Sequence, residues 1–266
     1  MDTGRIFFKK TAGKDDAMTD RKPDVASETA PVCSEETKQF MRMIGIPEEL
    51  HGADVLIRQM TEAVKNRREG CWKDLPEDVW IATMKAFPRF IGEHRASYGY
   101  DGFDRGFWTV RQVNARLFRI GELEYELIDE KDEPRVIGLH IASDSKLEPD
   151  LLNRSVKDAR AFLKQYFPAY AKKPIVCESW LLSPKLKEVL KEGSRILNFQ
   201  KAFDITSVDD EAADALEWVF KVAYGQRETY EKEKLPEDTS LQKALKKMIL
   251  SGEMPGAAEG ILARKF

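Results

Sequence analysis

Long runs of one charge are missing from this sequence, as are long apolar stretches and paired cysteines, and each absence removes a class of function. Basic residues gather only in pairs such as Lys172-Lys173 and Lys246-Lys247, and the net charge is −3. A mildly acidic, mixed-sign surface offers no electrostatic footprint for nucleic acid or an anionic membrane, so neither is an expected partner. No apolar run approaches the roughly 18 residues that a membrane span needs. The opening MDTGRIFFKK lacks the apolar core of a secretory signal. Cys33, Cys71 and Cys177 are far apart, and neither they nor His51, His94 and His140 show ligand spacing. A disulfide framework and a metal site are therefore not expected, and a cytoplasmic location is. The motifs GxGxxG, GxxxxGK[ST], HExxH and GxSxG are also absent, which argues against a dehydrogenase, kinase, zincin or serine hydrolase.

What is present is a chain of 266 residues, 42% hydrophobic and 33% charged, enough for one or two packed domains. Residues 1–34 are polar and without periodicity, and are expected to be a disordered tail. Ser34 is a good N-cap for a helix with Phe40, Met41 and Ile44 on one face, stopped by Gly45 and Pro47. A second helix is expected from about Ala53 to Arg67, with Val55, Leu56, Met60 and Val64 inward. A third starts at Pro76, where Glu77 and Asp78 suit the helix N-terminus, and carries Trp80, Ile81, Met84 and Phe87. The stretch Tyr98–Trp108 is rich in glycine and aromatic rings and reads as a loop that packs between domains or lines a pocket. A short helix follows at about 108–114. Residues 35–110 thus form a helical N-terminal domain.

From residue 111 onward the pattern changes. Residues 117–128 alternate at Leu123, Tyr125 and Leu127, a charged turn covers Asp129–Glu133, and residues 135–142 form the next strand of an antiparallel hairpin. A polar loop, Ser143–Pro149, leads to an amphipathic helix over Leu151–Phe167. Residues 174–182 are almost continuously apolar, as a central strand is. Pro184 starts a short helix ending at Gly193, and residues 196–205 are expected as a strand. A helix over Asp209–Tyr224, a helix capped by Thr239-Ser240, and a closing edge strand at Gly260–Ala263 complete the chain. The fold class is α/β (α+β): a helical N-terminal region, then a mixed sheet with flanking helices. A strand entering a helix through a loop is also the geometry of an anion site, here around Ser143–Asn153.

Four stretches make the chain recognisable: Arg116–Glu124, Ile137–Ile141, Ser179–Pro184 and Leu235–Gln242. From about Arg116 to the C-terminus the sequence resembles the GNAT-like C-terminal domain of bacterial acyltransferases, and the helical region before it resembles the companion N-terminal domain. The resemblance implies a GNAT-like domain over residues 111–266. It further implies transfer of an acyl group, such as acetyl, from acyl-CoA to the amine or hydroxyl of a small-molecule acceptor. In such enzymes acyl-CoA lies where two adjacent parallel strands splay apart. Mapped here, the strand ending in Leu139, Ile141 and Ala142 pairs with pantetheine, and the loop from Ser143 meets the pyrophosphate, helped by Lys146, Asn153 and Arg154. The family loop, [QR]xxGx[GA], is glycine-rich, whereas Ser143–Asp150 has no glycine and three acidic residues. That departure supports an alternative: a catalytically silent GNAT-like module that binds a small molecule or a protein.

His140 falls late on a strand beside the implied cleft. As a general base it would take the proton of the acceptor, a task suited to imidazole; otherwise it is a satisfied structural histidine. Glu178 lies in an apolar strand, where a carboxylate is costly unless paired. It reads as a second candidate base or acid, or as a residue turned outward by alternation. Ser179 and Trp180 are candidates for substrate contact, although strand serines and tryptophans are more often structural. Cys177 reads as a buried core cysteine.

Overall fold

The computed structural model describes residues 33–47, 50, 53–131 and 133–266. Of the tail expected at 1–34, all but Cys33 and Ser34 lies outside the described residues, as does His51. Helix α1 (Glu35–Ile44) starts where the Ser34 hydroxyl accepts from the Thr37 amide, and ends on Gly45 at φ 89°. Helix α2 (Ala53–Glu69) follows. The single helix expected from Pro76 is two: α3 (Glu77–Met84) and α4 (Ala86–Tyr98), meeting at Lys85. Helix α5 (Gly106–Val113) packs on α2, where the Gln59 amide donates to the Gly106 carbonyl at 2.7 Å.

The rest is one mixed sheet of six strands with helices around it. Strand β1 (Leu117–Ile120) and β2 (Leu123–Ile128) were expected as one continuous strand; they are a hairpin. Gly121, at φ 62°, is the reason: a two-residue turn that suits the twist of the strands needs a positive φ at its first position, which glycine adopts at little cost. Strand β3 (Val136–Ile141) pairs with β2 antiparallel, as expected. Helix α6 (Pro149–Tyr166) follows, then β4 (Ile175–Ser179). Helix α7 (Leu186–Val189), α8 (Arg195–Gln200), β5 (Phe203–Asp209), α9 (Asp214–Phe220), α10 (Ser240–Leu250) and β6 (Ala257–Leu262) complete the order. The strands lie in the order β1-β2-β3-β4-β6-β5, and only β3 and β4 run parallel.

Three sequence expectations fail here for local reasons. The strand expected to reach Leu182 stops at Ser179, whose hydroxyl accepts from the Leu181 amide and caps a turn of 3-10 helix at Trp180–Leu182. Residues 196–200, expected as the start of a strand, are helical because Ser194 caps Leu197 and because Phe199 packs on Phe203 and Phe266. The C-terminal strand is interior rather than an edge. A Cβ at Gly260 would lie 3.1 Å from the Asp204 carbonyl of β5, so glycine there admits the neighbouring strand.

One cluster of buried side chains runs from Phe40 in α1 to Ala258 in β6. Its middle is aromatic. Phe118 of β1 meets Trp72 at 5.3 Å, Phe162 of α6 at 5.0 Å and Phe167 at 5.1 Å between ring centres. The Trp72 indole donates to the Gln112 carbonyl at 2.9 Å, which satisfies its one polar atom inside the core.

Candidate active site

The cleft begins where the β3–β4 ladder ends. The two strands pair at Ile137–Ile175 and Gly138–Val176 and no further. Strand β3 stays paired with β2 as far as Ile141, and β4 with β6 as far as Ser179. Leu139, His140 and Ile141 therefore form one rim of a gap in mid-sheet, and Cys177, Glu178 and Ser179 the other.

Alternation sorts the side chains of the rims. Leu139 stands opposite Tyr125 on the α6 face, where the Tyr125 phenol meets the Ser155 hydroxyl at 2.9 Å. Leu139 is buried there, so only its backbone can serve a ligand in the gap. The opposite face carries Glu124, Glu126 and His140 toward the N-terminal helices. Glu124 is buried and pairs with Arg89 of α4 at 2.8 Å. His140 Nε2 lies 2.8 Å from Glu126 Oε2, and Arg111 Nε of α5 donates to Glu126 Oε1 at 2.8 Å. Trp108 of α5 meets the imidazole edge-to-face at 5.0 Å, and the Arg111 guanidinium sits 4.4 Å from the Trp108 ring. Burial acts to raise the Glu126 carboxyl. The hydrogen bond and charge of His140, and then Arg111, outweigh it and hold Glu126 below the usual carboxylate range.

Glu178 is exposed, which agrees with the outward-facing one of its two readings. It stands opposite Glu259 of β6, which is buried and accepts from the Thr206 hydroxyl at 2.9 Å. Ser179 is committed to its cap, and Trp180 packs half-buried against the core. Burial pushes the Cys177 thiol well up, which suits an inert core residue and not a nucleophile.

The loop after β3 is held by its neighbours. The Ser145 hydroxyl donates to the Glu122 carbonyl, and the Lys146 amide donates to the Glu122 carboxylate at 2.6 Å. Ser143 donates to Glu93 of α4. Asn153 exchanges two hydrogen bonds with the backbone of Phe266, at 3.0 and 3.1 Å, so it is occupied by the chain itself. Arg154 does face open space. With Lys157, Arg160 and Arg264 it lines a groove of about 850 Å³ along α6. Ala142 is buried and Ile141 half-buried. Leu139, His140 and Ile141 thus lie on the β3 rim, Ser143 and Lys146 in the loop that follows it, and Asn153 and Arg154 beside the groove along α6, while Ser179 and Trp180 lie at the end of β4. Sequence reading missed Glu126 and Arg111, and offered Trp108 only as part of an aromatic stretch that could line a pocket. The signal was there for Glu126, since an alternating strand with Leu123, Tyr125 and Leu127 inward puts Glu124 and Glu126 together on the other face.

Among the described residues no group of three or more His, Cys, Asp or Glu side chains could hold a metal ion, and no helix is long and apolar enough to cross a membrane.

A mixed sheet whose one parallel pair opens after two residues, with a helix leading away from the splayed strand, defines a GNAT-type protein. The chain belongs to the GNAT-like C-terminal domain family, whose model matches residues 117–262; the N-acyltransferase N-terminal domain model matches residues 72–115. Among solved structures it is similar to an acyltransferase in complex with decanoyl-CoA, at 26% identity and a TM-score of 0.72, covering 86% of this chain and 75% of that one. It is also similar to acyltransferase complexes with decanoyl-CoA and teicoplanin, and with CoA and 10C-teicoplanin. Both are 25% identical, with TM-scores of 0.70 and 0.71, and cover 78% of this chain. The chain spans 65% of the length of these last two. No protein of curated function matches it by sequence.

Proposed function

We propose that the protein transfers an acyl group from acyl-CoA to an amine or hydroxyl of a small-molecule acceptor. The observation that carries this is the gap between β3 and β4: it leaves a strip of backbone on each rim that the extended pantetheine arm can pair with, as a missing strand would. The similar structures holding CoA, decanoyl-CoA and teicoplanin support acyl-CoA as donor and a small molecule as acceptor. Lys146 and Arg154 would meet the phosphates at the mouth of the gap. In the cleft, His140 takes the acceptor's proton as its nitrogen or oxygen attacks the thioester carbonyl, because a protonated amine has no lone pair to attack with. Backbone N–H groups on the β3 rim would polarise that carbonyl. Glu178, exposed on the facing rim, is the second candidate base. A bacterial cytoplasm is the compartment we assign, where the free thiols of Cys33, Cys71 and Cys177 stay reduced.

Calorimetric titration with CoA, then release of CoA thiol from acetyl-, octanoyl- and decanoyl-CoA with panels of primary amines and alcohols, tests the proposal. His140→Ala should lower kcat by about 10²-fold or more. Glu178→Gln should do so only if Glu178 is the base. Near-full turnover in both folded variants would exclude both residues. One observation favours a silent binding module: the Lys146 amide is already bound by the Glu122 carboxylate, where a phosphate would go. Failure of CoA to bind at all would establish that reading.

A further inference from the structure

We propose that Glu126 is a positioning residue that makes Nδ1 the working nitrogen of His140, and that Arg111 sets how strong a base it is. The inference rests on the reading of His140 as proton acceptor.

His140 Nε2 lies 2.8 Å from Glu126 Oε2, within hydrogen-bond distance. An ionised carboxylate has no proton to give, so the proton between them sits on Nε2. The neutral ring then carries its lone pair on Nδ1. Two further contacts fix the ring. Trp108 stands nearly perpendicular to it, at 84°, with centres 5.0 Å apart. Gly138, directly opposite Glu126 in the β2–β3 ladder, leaves the space that lets the carboxylate lean diagonally to His140. A Cβ at position 138 would lie 2.9 Å from the Ile128 side chain and 3.4 Å from both His140 Nε2 and the Glu126 Cβ. The nearer carboxylate by register, Glu124, is spent on Arg89.

Arg111 opposes Glu126. Its Nε donates to the other carboxylate oxygen, and its buried Nη1 has no partner among the described residues. The guanidinium therefore takes up part of the negative charge that would stabilise an imidazolium. The charged groups on the elements that flank His140 include Glu126 and Glu124 on β2, Arg111 on α5, Arg89 and Glu93 on α4, and Glu178 on β4. Glu126 and Arg111 are joined to the ring in one hydrogen-bonded chain.

The acceptor nitrogen forms a bond to the thioester carbon while its proton moves to Nδ1. The tetrahedral adduct then expels CoA sulfur, breaking the C–S bond. The imidazolium gives its proton to the departing thiolate, which leaves as CoA thiol and returns the ring to its starting state.

The test uses the full chain, first without CoA and then turning over acetyl-CoA. Two-dimensional 15N–1H correlation of the imidazoles, with the His140 signals identified by their loss in His140→Ala, reads the tautomer and its titration. In the wild type the neutral ring should carry its proton on Nε2, and Glu126→Leu should abolish that preference. Glu126→Gln should move the His140 titration, and the acidic limb of the acetyl-CoA turnover profile, to lower pH by about one unit. Arg111→Met should move both the other way. A purely structural role for the pair would not give opposite shifts. A proton on Nδ1 in the wild type, or shifts of the same sign or of no size in the two variants, would overturn the proposal. If no acyl-CoA turns over, the reading of His140 as base fails by itself, and the titrations of the free protein still decide whether Glu126 and Arg111 act on the ring as argued.

Discussion

Phe118→Ala probes the joint between the helices and the sheet. Phe118 is fully buried and in ring contact with Trp72 from the segment after α2 and with Phe162 and Phe167 at the end of α6. Truncating a core phenylalanine costs about 3–5 kcal/mol, the transfer free energy of the ring plus the cavity it leaves. This site belongs in the upper half of that range. Trp72 is pinned by its hydrogen bond to Gln112, and Phe162 also packs on Tyr166 at 5.1 Å, so the neighbours cannot collapse into the void. Taking about 4 kcal/mol, and about 2–4 °C per kcal/mol for a chain this size, Tm should fall by roughly 8–16 °C. Differential scanning calorimetry measures this directly. Because the cluster runs unbroken from α1 to β6, the thermogram should stay a single peak that moves as a whole. Phe118→Leu, which keeps most of the volume, should cost under about 1.5 kcal/mol. A fall of less than about 4 °C in the alanine variant would refute the packing argument. A second peak left at the wild-type temperature would show that helices and sheet melt apart.

Two further predictions concern charge. Glu93 is pushed above the usual carboxylate range by burial, which outweighs the Ser143 hydroxyl and the positive charges of Arg89, Lys221 and Arg105. Its Oε2 is buried without a hydrogen-bond partner among the described residues. A raised folded value means that the native state holds the proton more tightly, so stability falls as pH rises from the unfolded value near 4.3 through the raised one. Glu93→Gln should remove that slope and raise Tm at neutral pH by about 2–4 °C, roughly 1 kcal/mol; a lower Tm at pH 7 would show that the ionised form is the stabilising one. Lys146→Glu combined with Arg154→Glu should weaken CoA binding by about tenfold or more, and added salt should weaken the wild type. CoA affinity indifferent to both would place the phosphates elsewhere.

Much of the architecture was legible because it is written locally. Ser34 before α1 and Thr239 before α10 are capping residues whose side chains do in the structure what their identity suggests, down to the reciprocal bond between Thr239 and Gln242. The alternation of Leu123, Tyr125 and Leu127 and the apolar run at 175–177 marked β2 and the centre of the sheet. What failed depends on distant partners. Gly121 looks like any glycine until the chain on both sides of it pairs with itself. Residues 195–200 carry an apolar pattern that suits a strand or a helix, and the rings of Phe203 and Phe266 decide between them. The site divides the same way. His140 and Lys146 could be picked out by residue type and place in the chain. Glu126 becomes a partner of His140 only through the β2–β3 register and the vacancy at Gly138. That Asn153, a candidate phosphate contact, also exchanges hydrogen bonds with the backbone of Phe266, 113 residues away, is invisible in the sequence.

The two-pair junction of β3 and β4 also makes a statement about motion. A sheet resists deformation through its continuous ladder, and here that continuity fails at the centre, so the molecule is two leaves, β1-β2-β3 and β4-β6-β5, sharing a short spine. Each leaf is tied inward by its own antiparallel pairs, which leaves the spine as the place where amide protons exchange by local opening at low energy. Whatever bridges the rims would stitch the leaves together, and its presence would be recorded as slowed exchange at Leu139–Ile141 and Cys177–Ser179, far beyond the handful of atoms it touches.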